Sequence, residues 1–171
     1  MDDEIGPEVG YAPRQRRLHW IVAGLVVLQL LLGAIIGSTR PADHKSILWL
    51  HAAVGSAIFI LMLLRWQLRQ RLGAPPPPAG TPVDAAVLAR VNHLGYYVLL
   101  LSIPVIGWCA FLFDGGFGAL HIAGVGVLLL AIAAHLAGVA YHRFVRRDGL
   151  LQRMVPTQPG AEPAIEGPGA D

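Results

Sequence analysis

Three histidines, His121, His135 and His142, stand inside the apolar run ALHIAGVGVLLLAIAAHLAGVAYHR, residues 119–143. An imidazole in hydrocarbon is costly unless it has a partner, so histidines in a segment of membrane-spanning length mark a functional site. Their spacings of 14 and 7 residues advance an α-helix by nearly whole turns, which puts all three rings on one stripe. His121 and His135 are then about 21 Å apart along the axis. That separation suits two stacked haems, one in each half of a bilayer.

Bis-histidine ligation needs two neutral imidazoles facing each other from different helices at one depth. The chain offers partners in His19, within RLHW, and His51, within ILWLH. Which depths they occupy follows from the elements that carry them. Of the 171 residues, 54% are hydrophobic and 14% charged, and the mean hydropathy is +0.55. Such a chain is an integral membrane protein, not an ordinary soluble domain. Apolar runs near 18–38, 47–66, 91–113 and 119–141 each reach the length of about 20 residues that spans a bilayer as a helix. The first is too long for a cleavable signal and is followed by no small-residue cleavage site.

The expected fold is all-α: an integral membrane four-helix bundle with both termini cytoplasmic and two b haems inside. The orientation rests on sorted positive charge, which the formal net charge of +2 conceals. Arg14, Arg16 and Arg17 precede the first span; Arg65, Arg69, Arg71 and Arg90 lie at or between the facing ends of the second and third; Arg143, Arg146, Arg147 and Arg153 follow the fourth. Only Arg40 and Lys45 fall on the other side, so the positive-inside rule places both termini and the proline-rich loop in the cytoplasm. Juxtamembrane arginines explain the basic pI without nucleic acid, which is not an expected partner.

Depth matching then pairs His51 with His121 in the outer half and His19 with His135 in the inner half. His142 competes with His135. Measured from the outer ends of their spans, His19 lies about 27 Å inward and His51 about 6 Å. The difference of about 21 Å equals the rise from His121 to His135 and falls short of the roughly 31 Å from His121 to His142. His135 is therefore the expected ligand, and His142 an interfacial side chain. A lone Cys109 and the absence of C-x-x-C-H exclude covalent c-type attachment, so the haems would be non-covalent haem b.

The remaining segments frame this core. Three regions are expected: a flexible tail over residues 1–12, a membrane domain over 13–155 with a stiff proline-rich loop at 73–82, and a disordered tail over 156–171. Asp43 is a candidate cap for the second helix, and Pro104 predicts a kink in the third. Gln29 reads as a helix–helix hydrogen bond, and Gly33 with Gly37 as close packing. The short turn DGGFG, residues 114–118, makes the last two spans antiparallel neighbours. Gly55, Ala123, Gly124, Gly126, Ala131, Ala134 and Gly138 would admit a flat macrocycle, or simply another helix. Arg17, Arg65, Arg90 and Arg143 are candidates for haem propionates or anionic lipid. His93, near Asn92 and Tyr96, is a candidate for a quinone contact beside the inner haem or a satisfied helix-end histidine. Arg40, His44 and Lys45 are outer-loop residues that could steer an anionic donor.

RLHW at 17–20, ILWLH at 47–51, PVIG at 104–107, the His121 and His135 pair and LLQRMVP at 150–156 together resemble the bacterial cytochrome b561 family, and within it the small four-helix superoxide oxidases. The resemblance covers residues 14–156. It implies two non-covalent b haems on His19, His51, His121 and His135, in a multi-pass protein of the bacterial inner membrane. It also implies electron transfer from superoxide outside to ubiquinone, reached through the inner haem, and His93 matches a further histidine of the family pattern. The expected function is a di-haem cytochrome carrying electrons between a periplasmic donor and the ubiquinone pool. An electron-carrying anchor subunit for a dehydrogenase, hydrogenase or periplasmic carrier is the alternative; a non-redox transporter or scaffold is a third reading.

Overall fold

The computed structural model describes residues 10–38, 45–77, 81–113 and 115–155. Four helices, all long and apolar enough to cross a membrane, make up the bundle. They are α1 (Pro13–Ser38), α2 (Lys45–Leu72), α3 (Val83–Phe113) and α4 (Phe117–Tyr141). Asp43, Arg40, His44, residues 1–9, the middle of the proline-rich loop and the tail from 156 lie outside the described residues. The helices overrun the expected spans mainly at their arginine-rich ends, where α2 continues to Leu72 and α3 starts at Val83. Hydropathy delimits the stretch that sits in hydrocarbon, whereas backbone hydrogen bonding carries a helix on into the headgroups.

α1 packs on α2, α2 on α3 and α3 on α4. The core is a thin column of Val22, Val26, Leu32, Val54, Ile58, Met62, Tyr97, Leu100, Ile103 and Leu128. Elsewhere large apolar side chains face outward, among them Ile122, Leu130 and Leu136 of α4, as expected where lipid replaces water. Leu128 is the one buried residue of α4 among those described. It stands on the stripe of His121, His135 and His142, so that stripe is the face α4 turns to the bundle.

Side-chain hydrogen bonds stitch each neighbouring pair. Gln29 Nε2 donates to the His51 carbonyl at 3.0 Å, joining α1 to α2. Trp108 Nε1 donates to Ser56 Oγ at 2.9 Å, joining α3 to α2. Tyr96 Oη donates to the Ala131 carbonyl at 2.8 Å, joining α3 to α4. Gly115 and Gly116, at φ 88° and 80°, make the tight turn into α4 that brings α3 and α4 together. Pro104 lies within an unbroken α3.

At the arginine-rich end the chain is clasped. Pro13 opens α1, where its missing N–H costs nothing. Gln15 Oε1 accepts from the Ala12 N–H at 3.2 Å, and its Nε2 donates to the Gly73 carbonyl at 3.0 Å. After α4 a π-helical turn, His142–Arg146, ends on Arg147 at φ 53°, and a short 3₁₀ turn follows at Leu151–Arg153. That segment returns to α1: Trp20 Nε1 donates to the Met154 carbonyl at 2.8 Å.

Candidate functional site

His51 sits one turn and a half into α2, and a Gly33 Cβ would lie 3.4 Å from its Cε1, so the α1 backbone backs the ring. His121, near the start of α4, is backed from the other side. Its Nδ1 donates to the Ile103 carbonyl at 3.1 Å, and a Cβ on Gly107 would fall 3.0 Å from its Cε1. Donation from Nδ1 fixes the tautomer that leaves Nε2 with a free lone pair, as the hydrogen bond behind a metal-bound imidazole does. The two rings meet edge-on, 6.1 Å between centroids and 70° between planes. Two metal–imidazole bonds of about 2 Å each, plus the distance from each nitrogen to its ring centre, add up to about 6 Å. The His51 Nδ1 is buried with no hydrogen-bond partner. Leaving such an atom unsatisfied costs about 1–3 kcal/mol unless something else engages the ring.

The second cluster lies toward the arginine-rich end. His135 has two ring neighbours from α3, His93 at 6.0 Å and Tyr96 at 5.7 Å. His93 Nδ1 donates to the Ala89 carbonyl at 2.6 Å. His19 of α1 lies within electrostatic reach of His135, His93 and Arg65, and its Nδ1 is also buried without a partner. The rings packed directly on His135 are thus those of His93 and Tyr96. Among the described residues no three His, Cys, Asp or Glu side chains converge to hold a metal ion unaided. The histidines come as pairs, and a pair fits a metal whose other ligands arrive with it, as they do in haem.

The other candidates fall in different places. His142 Nδ1 is 2.6 Å from Asp148 Oδ2, and Arg146 lies 3.3 Å from the same oxygen. Burial pushes the Asp148 carboxyl up, but the His142 hydrogen bond, the Leu150 N–H and the charges of His142 and Arg146 outweigh it and hold the group below its ordinary value. Arg17 is exposed and stands about 200° around α1 from His19. It lines a groove with Arg14 and Arg71, away from the histidines. Arg90 is exposed near the start of α3. Of the small residues, Gly55 and Gly124 serve helix packing, since a Cβ there would meet Gln29 Nε2 at 3.0 Å and Ile103 Cγ1 at 3.1 Å. The backing role of Gly107 escaped the sequence reading, although PVIG carried it in plain view.

Comparison with known proteins decides the family. A family model described as prokaryotic cytochrome b561 matches residues 10–157. The chain belongs to the prokaryotic cytochrome b561 family. Among similar proteins, one named cytochrome b562 from Cereibacter sphaeroides is 31% identical over 86% of this chain and 96% of its own length. One named "Probable superoxide oxidase CybB" from Yersinia pestis is 27% identical, covering 88% and 98%. Cytochrome b561 homolog 1 of Escherichia coli K12 is 23% identical, covering 85% and 97%. This cytochrome b561 family member is accordingly a multi-pass bacterial membrane protein and a b-type cytochrome of electron transport, for which haem b is the implied group. The His51 and His121 pair, the partnerless buried nitrogens and the glycine backing all suit that group.

Proposed function

We propose that this cytochrome holds two haems b and carries electrons across the bacterial inner membrane, between a periplasmic donor and ubiquinone. The observation that carries the reading is the His51 and His121 pair, two imidazoles from different helices at the separation a shared iron requires. His51 and His121 would hold the outer haem, and His19 and His135 the inner one. Haem supplies one-electron reduction and reoxidation of its iron. The protein's own part is to present neutral imidazoles, exclude water and set the surrounding dielectric. Gly33 and Gly107 let helix backbones back the outer imidazoles, and the Ile103 carbonyl fixes the tautomer of His121. His93, anchored through Nδ1 by Ala89, keeps its second nitrogen for a quinone oxygen, with Arg90 and Tyr96 nearby in sequence. With both termini cytoplasmic, the arginine-rich end is the quinone side.

Haem quantification and reduced-minus-oxidised spectra on purified variants test this. Two haems per wild-type chain are expected, with one lost in each of the His19→Ala, His51→Ala, His121→Ala and His135→Ala variants. His93→Ala and His142→Ala should keep both. Loss of a haem in His93→Ala with retention in His19→Ala would move the inner ligand to His93, and a wild-type chain without b-type absorbance would end the proposal.

A second reading rests on the link at 114–116, which leaves little chain beside the His51 and His121 pair to build a substrate pocket. In that reading the protein is an anchor subunit, its outer face docking a dehydrogenase, hydrogenase or periplasmic carrier. Superoxide, suggested by the name of the Yersinia relative, separates the two. Superoxide-driven ubiquinone reduction by the purified chain alone favours the enzyme; co-purification of a redox partner, without that activity, favours the subunit.

A further inference from the structure

A groove of about 360 Å³ runs between α1 and α2 on the outer surface of their arginine-rich ends. α1 contributes Arg14, Arg17, Leu18 and Ile21, and α2 contributes Leu64, Gln67, Leu68 and Arg71. Each set is spaced i, i+3, i+4, i+7, one continuous stripe of a helix. The two helices run in opposite directions, so their stripes are sorted alike along the groove. Arg14, Arg17 and Arg71 stand at its mouth, while Ile21 and Leu64 lie deepest toward the hydrocarbon. None of the three guanidinium groups has a hydrogen-bond or ion-pair partner among the described residues.

That gradient is the shape of an amphiphile. An apolar floor accepts acyl chains, and three cations at headgroup level, unpartnered among the described residues, accept phosphate. A quinone is neutral and would leave the arginines unanswered. We infer that this groove is a binding site for an anionic membrane phospholipid, its phosphate on Arg14, Arg17 and Arg71 and an acyl chain along Leu18, Ile21, Leu64 and Leu68. Basic pockets between membrane helices hold such headgroups by the same chemistry. Three cations suit a lipid with two phosphates better than one with a single charge. Because the groove faces away from His19, the site stands whether or not the two-haem reading does.

Native mass spectrometry on the full chain in mild detergent, titrated with cardiolipin or with phosphatidylcholine of the same acyl chains, tests the site. Saturable binding of one cardiolipin is expected, with little retention of phosphatidylcholine. The triple variant Arg14→Gln, Arg17→Gln, Arg71→Gln should weaken cardiolipin binding by on the order of a hundredfold at low salt. Leu68→Trp, which fills the floor and keeps every arginine, should weaken it as well, with Ile21→Asn as the second floor variant should the first not fold. Helix content by circular dichroism checks folding. Equal binding of both lipids overturns the site. So does cardiolipin binding that survives both floor variants, which would mean diffuse surface charge, and so does full displacement by inorganic phosphate, which would mean a site for the free anion.

Discussion

Gly107 meets His121 so closely that a Cβ there would fall 3.0 Å from Cε1 and 3.1 Å from Nδ1, and any added side chain must push the ring aside. In the two-haem reading, Gly107→Val should therefore displace His121, strip the outer haem and halve the b-type absorbance, whereas Gly126→Ala, with nothing within 4 Å of its added Cβ, should leave the spectrum unchanged. Equal spectra for the two variants would show that the backing does not matter. A second residue-scale test lies at the end of α4. Asp148 ties His142 to the Leu150 N–H, and its carboxyl is held below the ordinary value, so it is the ionised form that the fold prefers. A carboxylate with a depressed pKa stabilises above its unfolded value, near pH 3.9, and loses that contribution as pH falls through the folded value. Asp148→Asn should thus melt lower than wild type from neutral pH down to about pH 4, the gap closing in stronger acid. A gap that stayed open in strong acid, where Asp148 is protonated, would contradict the pairing.

Each helix pair is held by one or two polar contacts laid over apolar packing, and these contacts divide what the sequence discloses from what it conceals. Gln15 makes both of its amide bonds while 8% exposed, one to the start of α1 and one to the end of α2. Gln15→Ala should cost about 1–3 kcal/mol in detergent unfolding, since the Gly73 carbonyl and Ala12 N–H lose their partner together. Tyr96→Phe, which removes the hydroxyl and with it the interhelical bond to the Ala131 carbonyl, should cost about 0.6 kcal/mol, as interhelical bonds in membranes do on average. The spans were legible because an apolar run of that length has one structural answer, and the stripe on α4 because 14 and 7 nearly complete whole turns. Gln29 was legible as well, a lone amide in mid-membrane with little choice but a neighbouring backbone. Hydropathy fixes depth, however, and says little about rotation or which helices touch. It could not show that Arg17 faces away from His19, that Gly55 and Gly124 are taken by packing, or that His93 and Tyr96 both pack on His135. The return of residues 150–155 to Trp20 was equally hidden, since a backbone carbonyl accepting a bond leaves no mark on residue type.

At the scale of the whole molecule, α4 orders the two clusters along one face. His121, Leu128 and His135 follow at seven-residue steps of about 10.5 Å, with Leu128 only 4% exposed between them. An apolar residue packed at the midpoint separates the clusters, as two redox sites would need if each were to exchange electrons with its own membrane face. In the two-haem reading the clusters should therefore fail independently. His121→Ala should keep half the b-type absorbance, and that half should be reducible by quinol but not by an outer donor at short times. His135→Ala should keep the other half, with the opposite response. Stopped-flow reduction of each purified variant, from each side in proteoliposomes of known orientation, distinguishes this from a single shared site. Loss of all absorbance in either variant would mean that the clusters form one unit. Identical responses to both reductants would mean that the membrane faces are not resolved along α4.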